Sequence, residues 1–222
     1  YSGELSQKVG DLARAYSLDM QPWDEAATKA LRTESEPGSA VDPLRFAGRS
    51  ILLEVDPAIS YEVIVKEFAE KFKAAKSAVF AFTWKGGPIY SALSSLEGVQ
   101  VFSMTSQVTY PRPTGRKDEI SVPQDDTSVL LDLIAKTLQE LASRKPLMIL
   151  DSISDLVVSL GFEKAYGFLK AQKEILERET NATALFVAKR HGQDDRAISL
   201  VRGLYNVHLA YDQNGLTLTR AG

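Results

Sequence analysis

The chain has 222 residues, 44% hydrophobic and 25% charged, with a formal net charge of −3 and no cysteine. That size supports one α/β core plus an accessory segment, the charge excludes a global basic field for nucleic acid, and the missing cysteines exclude disulfides and thiolate chemistry. Two histidines, His191 and His208, offer no zinc cluster, no apolar run approaches the ~20 residues of a membrane span, and no signal peptide is visible.

Residues 1–46 read as an N-terminal helical segment and linker. Leu5, Val9, Leu12 and Tyr16 form a narrow apolar stripe, and Asp24-Glu25 opens a second helical stretch after Pro22. The polar stretch 33–43, with proline and glycine but no periodicity, marks the domain boundary. Beginning at Tyr1 rather than Met, the chain reads as a domain excised from a longer protein, with room for an upstream membrane anchor. The domain itself reads as cytoplasmic.

From Ser50 onward strands and helices alternate, the pattern of a mainly parallel sheet covered on both faces. Ile51–Val55 is the first strand, and Asp56-Pro57 supplies an N-cap with proline at the first helical position. Tyr61, Ile64, Val65, Phe68, Phe72 and Ala75 then fall on one helical face. Ala78–Thr83 is the second strand, Trp84-Lys85-Gly86-Gly87-Pro88 a turn before a short helix through Leu96, and Val99–Met104 the third strand. Ser106–Asp126, with prolines 111, 113 and 123, reads as a long loop, functional or mobile. Asp125 or Asp126 caps a helix striped by Leu130, Leu133, Ile134, Leu138 and Leu141. Phe162–Glu179 is the next helix and Thr183–Ala188 the next strand. Tyr205–Tyr211 and Leu216–Thr219 form a closing hairpin around Asn214-Gly215.

The most informative stretch is Pro146-Leu147-Met148-Ile149-Leu150-Asp151-Ser152-Ile153-Ser154-Asp155-Leu156. Four apolar residues closed by an aspartate and a polar turn read as a buried parallel strand whose carboxylate emerges at the ligand-bearing end of an α/β sheet. This motif resembles the Walker B segment of RecA/KaiC-like P-loop ATPases, archaeal KaiC-like domains included. Over residues 47–222 the resemblance implies a three-layer α/β/α RecA-like core with a mainly parallel sheet and a C-terminal β-hairpin.

Active members of that superfamily carry a glycine-rich loop ending in Lys and Ser/Thr after the first strand. Glycines let backbone N–H groups approach the phosphates, lysine neutralises charge, and the hydroxyl holds magnesium. Here the position reads Val55-Asp56-Pro57-Ala58-Ile59-Ser60-Tyr61-Glu62, without glycine or lysine. Proline removes a donor, and Asp56 and Glu62 place negative charge where polyphosphate would sit. The acidic pair expected after the second strand is replaced by Thr83-Trp84-Lys85. Arg220 stands where hexameric relatives place a trans-acting basic residue, but the usual lysine two residues earlier is Leu218.

The candidate binding residues are Asp151, Ser152, Lys189 and Arg190, with His191, Arg196 and Arg202 near the strand exit. Asp151 also has a structural reading, as a hydrogen-bonding partner of the neighbouring loop. Trp84 and Tyr90 flank Gly86-Gly87 and are candidates for stacking. The expectation is a non-catalytic module, without cofactor or metal, that works through a protein partner or as a homo-oligomer. The alternative is an ATP/Mg-binding enzyme or ligand sensor with an unusual phosphate site around Asp151 and Lys189–His191. Arg112, Arg116 and Lys117 offer only a weak nucleic-acid patch, with Asp118 and Glu119 beside them.

Overall fold

The computed structural model describes residues 41–179, 181–190 and 195–221. The expected helical segment and most of its linker fall outside them, as do His191 and the side chain of Arg196. The remainder forms one compact unit from Val41 onward, which opens with a 3-10 turn at Pro43–Phe46 capped by Asp42.

Among the described residues nine strands form a single sheet: β1 (Ser50–Val55), β2 (Val79–Trp84), β3 (Val99–Thr105), β4 (Arg112–Pro113), β5 (Glu119–Pro123), β6 (Leu147–Asp151), β7 (Thr183–Lys189), β8 (Val207–Asp212) and β9 (Gly215–Arg220). Their spatial order is β4-β5-β3-β2-β6-β7-β1-β8-β9. The pairings from β5 to β8 are parallel, and the short β4 and the β9 hairpin strand run antiparallel at the two edges.

Helices α1 (Glu62–Ala74) and α2 (Pro88–Ser94) cover one face, while α3 (Thr127–Leu141), α4 (Ile153–Leu160), α5 (Phe162–Arg178) and α6 (Asp195–Arg202) belong to the other. The two-residue period of the strands explains the division. Ile51, Leu53, Ala81, Ile149 and Leu185 pack toward α1 and α2, whereas Leu52, Phe80, Phe82, Leu150 and Phe186 pack toward α3, α4 and α5. Strands buried on both faces read as continuous apolar runs, which is why Leu147-Met148-Ile149-Leu150 shows no alternation. Phe82 and Phe102 stack at 4.5 Å between centroids, and Phe80 meets each of them edge-on. This is a three-layer α/β domain of the expected class.

Four local expectations are corrected. The stretch 106–126 is not one long loop: β5 forms a parallel pair with β3, and β4 folds back on β5. Its signal was weak because Glu119 and Ser121 are buried polar residues that interrupt the apolar pattern. The helix after β1 starts at Glu62, since Asp56 accepts the Ala58 N–H at 2.9 Å and so closes a turn rather than capping the helix. A helix, α4, follows β6 directly, with Ser152 as its N-cap. Arg202 does not join a free cationic patch: it forms a two-pronged pair with the buried Glu54, at 2.7 and 2.6 Å. Asp126 does cap α3 as expected, accepting from the Ser128 and Val129 N–H groups.

Candidate functional site

Because β2, β6, β7 and β1 are spatial neighbours, their C-terminal ends open onto one place. A cleft of about 580 Å³ lies there, lined by residues from each connection: Tyr61 before α1, Trp84 to Pro88 after β2, Gln124 after β5, Asp151 at the end of β6, Asp155, Val158 and Ser159 on α4, and Lys189 at the end of β7. The position is the ligand-bearing edge of an open α/β sheet.

Asp151 forms the buried floor, 3% exposed. Its Oδ2 accepts a 2.8 Å hydrogen bond from the Thr83 hydroxyl on the adjoining β2. Burial pushes its carboxyl up to about 7; the Thr83 hydrogen bond and the Lys189 charge oppose that, and the Asp155 charge adds to it. The Asp151–Ser152 peptide bond is cis. Ser152 is fully buried; its Oγ accepts from the Asp155 N–H at 3.2 Å and donates to Asp155 Oδ2 at 2.5 Å.

Lys189 Nζ donates to both Asp155 oxygens, at 3.0 and 2.8 Å. Its backbone N–H donates to Ser154 Oγ at 2.9 Å, tying β7 to α4. Burial lowers the Lys189 pKa, but the hydrogen bonds and charge of Asp155, with Tyr61 and Asp151, outweigh it, so the net direction is up. Tyr61 is buried beside these groups, and burial followed by the Asp151 charge raises its phenol above the ordinary value.

Of the residues singled out in sequence, Asp151 and Lys189 thus share the cleft, and Ser152 supports it from beneath. Arg190 does not line it: its guanidinium meets Asp212 at 3.2 Å on the β8 side. Trp84 lines the cleft, whereas Tyr90 points its hydroxyl at Glu119, at 3.1 and 3.2 Å. Arg112 lies over the Tyr110 ring and Arg116 pairs with Glu119 at 3.8 Å. Tyr61 and Asp155 as cleft residues, and Thr83 as the buried partner of Asp151, were not evident from the sequence. Asp155, four residues after Asp151 and opening a helix, was the one visible signal.

The β1–α1 connection tests whether polyphosphate fits. The Asp56 N–H donates to the Tyr211 carbonyl, that of Ala58 to the Asp56 carboxylate, that of Ile59 to the Asp56 carbonyl and that of Tyr61 to the Ile59 carbonyl. Pro57 has no N–H to give. A phosphate cradle needs such donors pointed outward, and here these four are bonded within the fold, in a segment that carries the acidic Asp56 and Glu62. The residues present do not fit a nucleoside triphosphate. Among the described residues no group of three or more His, Asp or Glu is placed to hold a metal ion.

These elements define a RecA-like three-layer α/β fold. Comparison with solved structures gives the same fold: the KaiC-like protein PH0186 from Pyrococcus horikoshii OT3 is similar over 79% of this chain and 80% of its own, at 13% identity and a TM-score of 0.55. The protein PH0250 from the same organism is similar over 80% of this chain and 90% of its own, at 14% identity and a TM-score of 0.55. The flagellar accessory protein FlaH from Methanocaldococcus jannaschii is found at 11% identity, 79% and 80% coverage and a TM-score of 0.44. No family model and no curated protein matches the sequence. The chain therefore has a KaiC-like RecA fold, and at these identities the likeness is one of fold.

Proposed function

We propose that the domain is a non-catalytic, pseudo-ATPase form of the KaiC-like fold that serves as a regulatory or assembly module through protein contacts, as a homo-oligomer or with an active paralogue. One observation carries the reading: four N–H groups of the β1–α1 connection, those of Asp56, Ala58, Ile59 and Tyr61, are bonded within the fold, next to the acidic Asp56 and Glu62, and Pro57 has none, so these positions offer no donor to a phosphate. Asp151 has no phosphate-bound magnesium to address and acts as a buried partner of Thr83. The likeness to the KaiC-like protein PH0186 supports such a module in fold only.

The second reading is a nucleotide or ligand sensor using Asp151 and the Lys189–Arg190 exit. The cleft favours it, since its volume falls within the ~300–1,000 Å³ usual for small-molecule sites. Sedimentation with and without Mg-ATP separates the two. The protein-contact reading expects the same oligomeric state in both conditions. ATP-dependent assembly would overturn it in favour of the sensor.

A further inference from the structure

We infer that the cleft at the C-terminal sheet edge receives the guanidinium group of an arginine presented by a partner protein, with Asp151 as its acceptor and Trp84 as its stacking wall. This rests on the protein-contact reading and names the chemistry of the contact.

Charge decides the sign of the guest. Asp155 and Lys189 form a close pair and Lys85 is exposed at the rim, so Asp151 is the buried carboxylate of the lining that, among the described residues, no ion pair holds, although the Lys189 charge also reaches it. Only Oδ2 of Asp151 is engaged, by Thr83; among the described residues its other oxygen has no hydrogen-bond partner. A buried carboxylate with a free oxygen facing a cavity is incomplete, and a cation that donates hydrogen bonds completes it. Among the described residues no cluster suits a metal ion, so the fitting cation is organic.

The walls select among organic cations. Tyr61 and Trp84 line the same cavity. A planar guanidinium stacks on an aromatic face while donating from its edge, and it is desolvated more readily than an ammonium.

The rim argues for a partner chain over a free small molecule. Pro88 and Val158 lie at the mouth, and Val158, 85% exposed, is the most exposed large apolar side chain among those described. Free agmatine would leave that surface in water. A polypeptide with apolar residues flanking its arginine would cover it.

The test is calorimetric titration of the full chain at about pH 8, above the Asp151 carboxyl at about 7, with three probes: acetyl-Leu-Arg-Leu amide, its citrulline counterpart and agmatine. The expected result is saturable binding of the arginine peptide, on the order of tenfold or more weaker for the neutral citrulline peptide. Asp151→Asn, checked for folding by its melting curve, should weaken the arginine peptide by a similar factor, and Trp84→Leu should weaken it independently. Equal binding of the two peptides, undiminished binding by Asp151→Asn, or no binding of the arginine peptide would each overturn the inference. Agmatine binding as tightly as the peptide would overturn the partner assignment. Stabilisation by Mg-ATP would instead overturn the underlying reading, so the two failures are distinguishable.

Discussion

The Thr83 hydroxyl donates a 2.8 Å hydrogen bond to Asp151 Oδ2 between neighbouring strands, where both side chains are buried. This contact holds the one ionisable group on the floor of the cleft, and its proton dictates a pH dependence. The Asp151 carboxyl is raised from 3.8 to about 7 by burial, so between those values the folded chain keeps a proton that the unfolded chain releases. Its contribution to stability therefore declines as pH rises through that window. Asp151→Asn keeps the shape and accepts from Thr83 without ionising. Denaturant titrations should find the variant gaining on the parent from about pH 4 to about pH 7, by on the order of a few kcal/mol at most, and levelling off above. A pH-independent difference would contradict this.

The Lys189–Asp155 pair joins β7 to α4 at the cleft wall, with side chains 27% and 39% exposed. Half-solvated pairs are screened, so the coupling should be modest, about 0.5–1 kcal/mol in a double-mutant cycle of Lys189→Met and Asp155→Ala, and smaller in high salt. A much larger coupling would mean that the pair is better shielded from water than its exposure indicates.

Glu54 is different, since its side chain is 8% exposed and Arg202 is its two-pronged partner. Removing the guanidinium leaves a buried carboxylate underpaired. Arg202→Met should cost about 1–3 kcal/mol, and adding Glu54→Met should recover part of the loss, because breaking a buried pair is worse than replacing it. Urea midpoints of the parent, the single and the double variants measure both effects.

Lys76 follows the C-terminus of α1 with φ 64°, the left-handed region that glycine enters without strain, and its N–H and that of Ser77 bond back to the last turn. Lys76→Gly should raise stability by ~0.5–1 kcal/mol and leave the cleft unaffected. A loss of stability on melting would show that glycine's greater freedom in the unfolded chain outweighs the relief.

The continuous apolar strands β1, β2, β6 and β7 were legible because burial on both faces leaves an uninterrupted run, and the Asn214-Gly215 turn announced the final hairpin. Helix α4 was not, since Asp151-Ser152-Ile153-Ser154-Asp155 carries turn-type residues that in fact cap a helix: Ser152 accepts the Asp155 N–H. Of the cleft, Asp151 was visible as the polar end of an apolar strand, and Lys189 as the basic end of another. Thr83 and Tyr61 were not, because their approach to Asp151 depends on β2 and β7 flanking β6 and on β1 lying beside β7, and no local pattern encodes strand order. Arg190 illustrates the same limit: one residue beyond Lys189, it turns to Asp212 and away from the cleft.

On the protein-contact reading, the β1–α1 connection holds no polyphosphate. Thermal unfolding of the full chain with and without millimolar Mg-ATP, Mg-ADP or Mg-GTP tests it most directly, because any ligand that prefers the folded state must raise its melting temperature. Superimposable curves are expected. A saturable rise of several degrees, lost in Asp151→Asn or Arg190→Ala, would contradict that reading and establish the site as a nucleotide sensor.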